Sequence, residues 1–106
     1  MERGYSLRGP ATSDDRVVGG LIGKIFFNWL DAELVWVEQP LHHCGIGTAV
    51  MLEAERAARN SALTGIWLWT QSWQAAEFYG KLGYQQFAEF NDFPPGHRRL
   101  GFRKYL

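Results

Sequence analysis

One short segment constrains the fold of this chain more than any other, because an apolar run leads into two glycines and a helical pattern follows at once. The run is Leu34-Val35-Trp36-Val37, and the glycines are Gly45 and Gly47. Backbone N–H groups at the start of a helix have no partners within it, and the helix dipole adds positive potential there. Glycine lets such a backbone come close to a phosphate. The segment therefore predicts a strand, a turn and a helix that together bind an anion.

The composition limits the class of protein. A chain of 106 residues, 46% hydrophobic and 15% aromatic, fits one packed domain spanning 1–106. The net charge of zero gives no bulk attraction for nucleic acid, and no apolar stretch reaches the roughly 20 residues of a membrane helix. The single cysteine, Cys44, allows no disulfide within the chain and favours a reducing compartment. We therefore expect a cytoplasmic protein with neither a nucleic-acid nor a membrane partner.

The spacing of apolar and turn-forming residues predicts six strands. They cover residues 5–8, 16–29, 32–38, 64–70, 84–90 and 98–105. Glycines within the second of these strands are expected to produce a bulge. A turn at 28–31 would join the second and third strands as a hairpin. Pro40 would end the third strand, because proline lacks the N–H that a ladder requires.

Two helices are predicted, at 45–60 and 72–81. Apolar residues share one face of the first helix, and its polar positions are supplied by charged residues. These are Glu53, Glu55, Arg56 and Arg59. In the second helix, Ser72 is a suitable N-cap and Gly83 a suitable C-terminal stop.

The order of these elements predicts the fold class, which is mixed α/β (α+β) with a central, mostly antiparallel sheet and two helices. The first helix joins two strands as a crossover. The strands at 32–38 and 64–70 are therefore expected to run parallel, which makes the sheet mixed.

Two motifs in this order resemble the GNAT superfamily of N-acetyltransferases. The family signature Gln/Arg-x-x-Gly-x-Gly/Ala at the start of the central helix is similar to the segment from His42 to Gly47. The family pattern Ala…Tyr-x-Lys-x-Gly-Phe on the last helix is similar to the segment from Ala75 to Tyr84. The resemblance runs from about Tyr5 to the end and implies the acyl-CoA N-acyltransferase fold.

The resemblance also implies that this chain is an abbreviated form. Family members usually begin with a strand and two helices that precede the point where this sequence starts. A sheet edge and an apolar face would then be bare, and a homodimer is the ordinary way to cover them.

An acetyl-CoA-dependent N-acetyltransferase is the activity that the resemblance implies. The acetyl group would pass directly to a primary amine of a small molecule or peptide, whose identity stays open. The cosubstrate would lie in a V-shaped opening between two parallel strands. The residues implied to contact it are Val35, Trp36, Val37, His42, His43, Cys44, Gly45, Ile46, Gly47, Thr48, Ser72 and Ala75. Trp29 and Trp36 lie on the hairpin that relatives use partly for the acceptor.

Tyr79 is the residue that the resemblance assigns to protonation of the departing thiolate, as a general acid. The alternative is a core aromatic residue. Glu33 matches a position where relatives often carry the base, although a solvated strand residue, or Glu38, His42 or His43, are alternatives.

No metal is expected. Two adjacent histidines cannot easily converge on one ion, and His97 is the only other histidine. An alternative function is a catalytically inactive module of the same fold that binds acyl-CoA or a protein, which the histidine at position 42 favours because the signature has Gln or Arg there.

Overall fold

The computed structural model describes residues 3–7, 12–13, 16–17, 19–37, 45–72 and 75–106. Within these ranges the chain forms eight strands and two helices. In chain order they are β1 (Arg3–Leu7), β2 (Thr12–Ser13), β3 (Arg16–Val17), β4 (Gly19–Phe26), β5 (Trp29–Val37), α1 (Ile46–Asn60), β6 (Gly65–Gln71), α2 (Ala76–Lys81), β7 (Gln85–Asn91) and β8 (Arg98–Tyr105).

Six of the described strands form one sheet in the order β1-β4-β5-β6-β8-β7, while β2 and β3 form a separate antiparallel pair. β5 and β6 are parallel, and the other neighbouring pairs of the large sheet are antiparallel. The predicted mixed sheet and the predicted parallel pair are therefore confirmed. Helix α1 makes the crossover between the two parallel strands.

The hairpin between β4 and β5 turns earlier in the chain than the sequence predicts. The turn residues are Phe27 and Asn28, with φ of 48° and 66°, as in the two-residue turns that match the twist of paired strands. The predicted turn at 28–31 is wrong because Asn28 is fixed by distant groups. Its side-chain nitrogen donates to the carbonyl of Ala62 at 3.2 Å and to the hydroxyl of Thr64 at 3.0 Å.

A bulge interrupts the pairing of β4 and β5. Gly23 lies opposite Ala32 and Ile22 lies opposite Leu34, so Glu33 is the extra residue. The bulge expected at the glycines is thus confirmed, with the inserted residue on the partner strand. A Cβ added at Gly23 would overlap the carbonyl oxygen of Asp31, so only glycine fits at this close approach.

Both helices pack on one face of the sheet, which we call the inner face. Its buried residues on the strands are Leu21, Leu30, Ala32, Ile66, Leu68, Leu100 and Phe102. From the helices come Val50, Met51, Ala54, Ala58 and Tyr79. Val50, Ala54 and Ala58 confirm the apolar face that the helical periodicity predicts, and Met51 joins it. One predicted polar position, Glu55, is also buried, at 1% exposure.

The opposite face of the sheet, which we call the outer face, is rich in aromatic rings. Its residues alternate along the strands with those of the inner face. Four of its rings are exposed, those of Phe26, Phe27, Phe87 and Tyr105. Three tryptophans beside them are partly buried, Trp29, Trp67 and Trp69. Among the described residues, neither helix packs on this face.

Helix α2 begins at Ala76, later than the predicted start, and Ser72 does not cap it. Instead the Ser72 N–H donates to the carbonyl of Arg98 at 2.7 Å, and the Ser72 hydroxyl accepts from the Arg98 N–H at 3.0 Å. Ser72 thus extends the pairing of β6 with β8. Gly83 follows the helix with φ of 91°, as expected of a C-terminal stop.

We predict opposite effects for two glycine-to-alanine substitutions. Gly23→Ala should lower the free energy of unfolding by about 1–3 kcal/mol, because the new methyl group overlaps backbone that cannot move without breaking the strand pair. Gly80→Ala should raise it by about 0.5–1 kcal/mol, since Gly80 is helical and its added Cβ meets open space. Urea unfolding of both variants measures this, and equal effects would contradict the close approach at Gly23.

Candidate functional site

The parallel strands β5 and β6 pair over only three residues each. Trp29, Leu30 and Asp31 lie opposite 65–67, yet β5 continues to Val37 and β6 to Gln71. Beyond Asp31 no pairing joins the described parts of the two strands. The ladder between the two strands therefore ends there, and a gap separates their carboxyl-terminal halves. This is the kind of opening that the resemblance implies.

The amino-terminal end of α1 lies at the same end of the sheet as this gap, because α1 follows β5 and leads back to the start of β6. Gly45 precedes the helix with φ of 80°, a left-handed conformation that favours glycine, and no side chain caps the helix. The first turn contains no acidic residue. The N–H groups of Ile46, Gly47 and Thr48 are consequently donors that the helix itself does not use, and they are suited to an anion.

The residues just before this helix complete the predicted signature. His42, His43 and Cys44 lie outside the described residues, as does the predicted strand end at Pro40. Their predicted contacts with the cosubstrate stay predictions.

Tyr79 lies on the inner face, where its ring packs near β8. Its ring centroid is 6.1 Å from that of Phe102, and Phe102 pairs with Leu68, the first β6 residue beyond the parallel pairs. The residue is 6% exposed, and this burial raises the pKa of Tyr79 to about 12. Among the described residues its hydroxyl has no hydrogen-bond partner. The phenol therefore keeps its proton at neutral pH.

Glu33 lies on the other side of the gap. Its carboxylate is 3.8 Å from the ammonium of Lys24, and both side chains are exposed. Successive side chains of a strand point to opposite faces, and Ile25 packs against the core on the inner face. The preceding residue on β4, Lys24, therefore belongs to the outer face. The structure thus places the two predicted catalytic residues, Glu33 and Tyr79, on opposite faces of the sheet rather than side by side.

Other predicted contact residues gather at the same end of the sheet. The backbones of Val35, Trp36 and Val37 form the end of β5. Ser72 directly follows β6, and Ala75 precedes α2, where its carbonyl accepts from the Tyr79 N–H at 3.1 Å. These predicted residues therefore lie at the same end of the sheet as the gap and the starts of both helices.

A shallow cavity of about 270 Å³ lies on the outer face, and the sequence analysis anticipated only part of it. It is lined by Phe26, Phe27, Trp29, Trp67, Phe87 and Arg103. Trp29 is the residue suggested for the acceptor side, whereas the side chain of Trp36 lies outside the described ones. The Arg103 guanidinium lies 5.5 Å from the Phe87 ring centroid, and its buried Nε has no hydrogen-bond partner within the part of the chain that the structure describes.

The described residues contain no group of three or more side chains that could hold a metal ion. None of their helices is long and apolar enough to cross a membrane.

Comparison with known proteins relates the chain to one family. Residues 2–84 match the model of the acetyltransferase (GNAT) family. A blasticidin-S acetyltransferase of Streptomyces morookaense is 35% identical over 81 residues, which are 76% of this chain and 60% of that protein. The chain thus spans about three fifths of that relative's length.

Two solved structures have the same fold. The acetyltransferase from Bacillus cereus ATCC 14579 superposes with a TM-score of 0.86 at 30% identity, covering 100% of this chain and 74% of that one. The PaiA N-acetyltransferase from Thermoplasma acidophilum, solved in complex with coenzyme A, gives a TM-score of 0.76 at 20% identity, covering 90% of this chain and 57% of that one.

The buried phenol of Tyr79 predicts a loss of stability in alkali. The unfolded chain releases this proton near pH 10.0, whereas the folded chain holds it to about pH 12. The stabilisation is therefore complete below pH 10 and is lost as the pH rises toward 12, by about 3 kcal/mol in all. Tyr79→Phe should lose less stability between pH 9 and 12 than the parent, as measured by urea unfolding. Equal losses would mean that Tyr79 titrates normally.

Proposed function

Since the chain belongs to the acetyltransferase (GNAT) family, we propose that it transfers the acetyl group of acetyl-CoA directly to a primary amine. The observation that carries this proposal is the early end of the β5–β6 pairing. The same end of the sheet carries the uncapped start of α1 and leads into α2, which holds the buried Tyr79. The coenzyme A complex of a structural relative supports the choice of cosubstrate.

The start of α1 would hold the pyrophosphate of coenzyme A. Its free N–H groups at Ile46, Gly47 and Thr48 point along the helix dipole, and no acidic side chain in the first turn opposes an anion. Gly45, and with it His42, His43 and Cys44, would contact the same group. The backbone at the end of β5, at Val35, Trp36 and Val37, would hydrogen-bond the pantetheine arm. Ser72 and Ala75 would border it from the side of α2.

Tyr79 would act as the general acid. In direct transfer the amine nitrogen bonds to the acetyl carbon, the carbon–sulfur bond breaks, and the sulfur leaves with the bonding pair. The Tyr79 hydroxyl gives its proton to that sulfur and recovers one from solvent. A phenol with its pKa raised to about 12 is protonated at every pH where the enzyme would work.

Glu33 would take the proton that the amine loses. It lies on the outer face, opposite Tyr79, so an amine entering from the outer side would attack through the gap while the thiolate leaves on the inner side. Attack on the carbonyl carbon gives a tetrahedral intermediate, from which Glu33 would take the proton of the amine nitrogen while Tyr79 protonates the departing sulfur. Glu38, His42, His43 or a water chain are the rival routes for this proton.

The acceptor would be the amine of a small antibiotic. This proposal is supported by the 35% identity to a blasticidin-S acetyltransferase, so blasticidin S is the first amine to test. The aromatic outer-face cavity near Trp29 would serve as its entry side. The homodimer and the cytoplasmic location stay predictions from the sequence.

We predict that charge at the turn before α1 controls coenzyme A affinity. Gly45→Glu and Gly45→Gln strain the left-handed backbone equally, and neither added Cβ meets an atom within 4 Å. The glutamate variant should bind coenzyme A at least tenfold more weakly than the glutamine variant, since only it repels the phosphates, a difference of about 1.4 kcal/mol or more. Calorimetric titration of both variants measures this. Equal affinities would place the pyrophosphate elsewhere.

Loss of the Tyr79 hydroxyl should affect turnover rather than binding. Tyr79→Phe should lower kcat about 100-fold, while the dissociation constant of coenzyme A changes less than about twofold. Steady-state kinetics with acetyl-CoA and blasticidin S measure the first, and calorimetry the second. Tyr105→Phe, at an exposed outer-face tyrosine, is the control and should leave both unchanged. Unaltered turnover in Tyr79→Phe would remove Tyr79 from the mechanism, and a parent chain that binds coenzyme A without turnover would be the inactive module.

A further inference from the structure

One buried carboxylate takes no part in the proposed chemistry. Glu55 lies in the middle of α1 and is 1% exposed. One of its oxygens accepts from the Tyr84 hydroxyl at 3.0 Å, and the other accepts from the Lys104 ammonium at 3.0 Å. The guanidinium of Arg59, one turn later on the same helix, is 3.7 Å from the second oxygen. The carboxylate is thus fully partnered inside the inner-face core.

Lys104 connects this carboxylate to the other helix. Its ammonium also donates to the carbonyl of Leu82, the residue that ends α2, at 2.8 Å. Unused carbonyls at the end of a helix carry partial negative charge, so a cation is favoured there. The same ammonium lies 5.5 Å from the ring centroid of Tyr84. One side chain of β8 therefore joins α1, the end of α2 and the turn that follows α2.

The turn that this pair holds also fixes Tyr79. The Tyr79 carbonyl accepts from the N–H groups of both Leu82 and Tyr84, each at 3.1 Å. The rings of Tyr79 and Tyr84 lie 5.8 Å apart in an edge-to-face arrangement. Helix α2 has only six residues, too few for a helix to be stable alone. Its orientation must therefore come from tertiary contacts such as these.

We propose that Glu55 and Lys104 are positioning residues, which set the place of Tyr79 relative to the amino-terminal end of α1. The carboxylate stands on the helix whose start is the anion site, and the ammonium holds the end of the helix that carries the acid. The pair thereby fixes the distance between the two ends of the proposed cosubstrate site. This inference rests on the proposed function for its chemical meaning, and on the contacts for its geometry.

A pair that served stability alone would behave differently. Replacing both members of a buried ion pair by uncharged groups of similar size is often neutral for stability, because no unpaired charge remains. Removing only one leaves such a charge and is strongly destabilising. The informative variant is therefore the double substitution Glu55→Gln with Lys104→Met. Glutamine keeps an acceptor for Tyr84, and methionine keeps most of the lysine stem.

The matched control is Glu53→Gln. Glu53 lies on the same helix and forms an ion pair with Arg56, whose guanidinium side chain is exposed. Its loss changes the charge of α1 as Glu55→Gln does, but its hydrogen bonds and ion pair among the described residues are made with Arg56 on α1 itself. A second test variant, Tyr84→Phe, removes only the hydroxyl that donates to Glu55 and leaves both charges in place.

Two readouts on the full chain test the proposal. With acetyl-CoA and blasticidin S as probes, kcat should fall at least tenfold in the double variant, while the dissociation constant of coenzyme A stays within threefold of the parent. In hydrogen exchange, the amides of Leu82 and Tyr84 should exchange at least tenfold faster, while that of Ala49 in the first turns of α1 stays unchanged. Tyr84→Phe should show smaller changes of the same kind, and Glu53→Gln none.

The two readouts separate the failure of this proposal from that of the proposed function. A double variant with kcat within twofold of the parent would overturn the positioning role, whatever its exchange rates. If the parent itself shows no turnover, the proposed function has failed, and exchange alone decides. Unchanged Leu82 and Tyr84 exchange would then overturn the proposal that the pair fixes α2, and faster exchange would support it.

Discussion

The early separation of β5 from β6 is the constraint on which the rest of the structure depends. Two parallel strands that stay paired would bury their backbone groups in a continuous ladder, and the sheet would have no opening. Here the pairing ends at Asp31, and Glu33 is inserted two residues later. Gly23 makes this insertion possible, since no larger residue fits against the carbonyl of Asp31. The end of the β5–β6 ladder thus opens a gap within the sheet, at the same end as the start of α1.

The two faces of the sheet carry different parts of the proposed site. The inner face carries the helices, and with them the free N–H groups at the start of α1 and the buried phenol of Tyr79. The outer face carries exposed aromatic rings and Glu33, and the described part of the chain places no helix over it. A donor on one side and an acceptor on the other can then meet in the gap.

Much of this architecture is predictable from local sequence. The apolar runs, the glycines at 45 and 47 and the crossover length predict the helix, the parallel pair and the mixed sheet. What the sequence does not predict depends on distant partners. The β4–β5 hairpin turns earlier than predicted because the side chain of Asn28 is hydrogen-bonded to Ala62 and Thr64. Ser72 is not part of α2 because it is hydrogen-bonded to Arg98. Glu55 is buried although it is charged, and only its spacing from Met51 and Ala58 on the apolar stripe signals this.

Binding of coenzyme A to the full chain tests the central claim most directly. A calorimetric titration of the folded protein should give one site per chain with a dissociation constant in the micromolar range, because the gap and the start of α1 are already in place. Absence of binding by a chain whose circular dichroism shows native helix and strand would contradict the claim. The gap between β5 and β6 would then be a feature of the fold that has no cosubstrate.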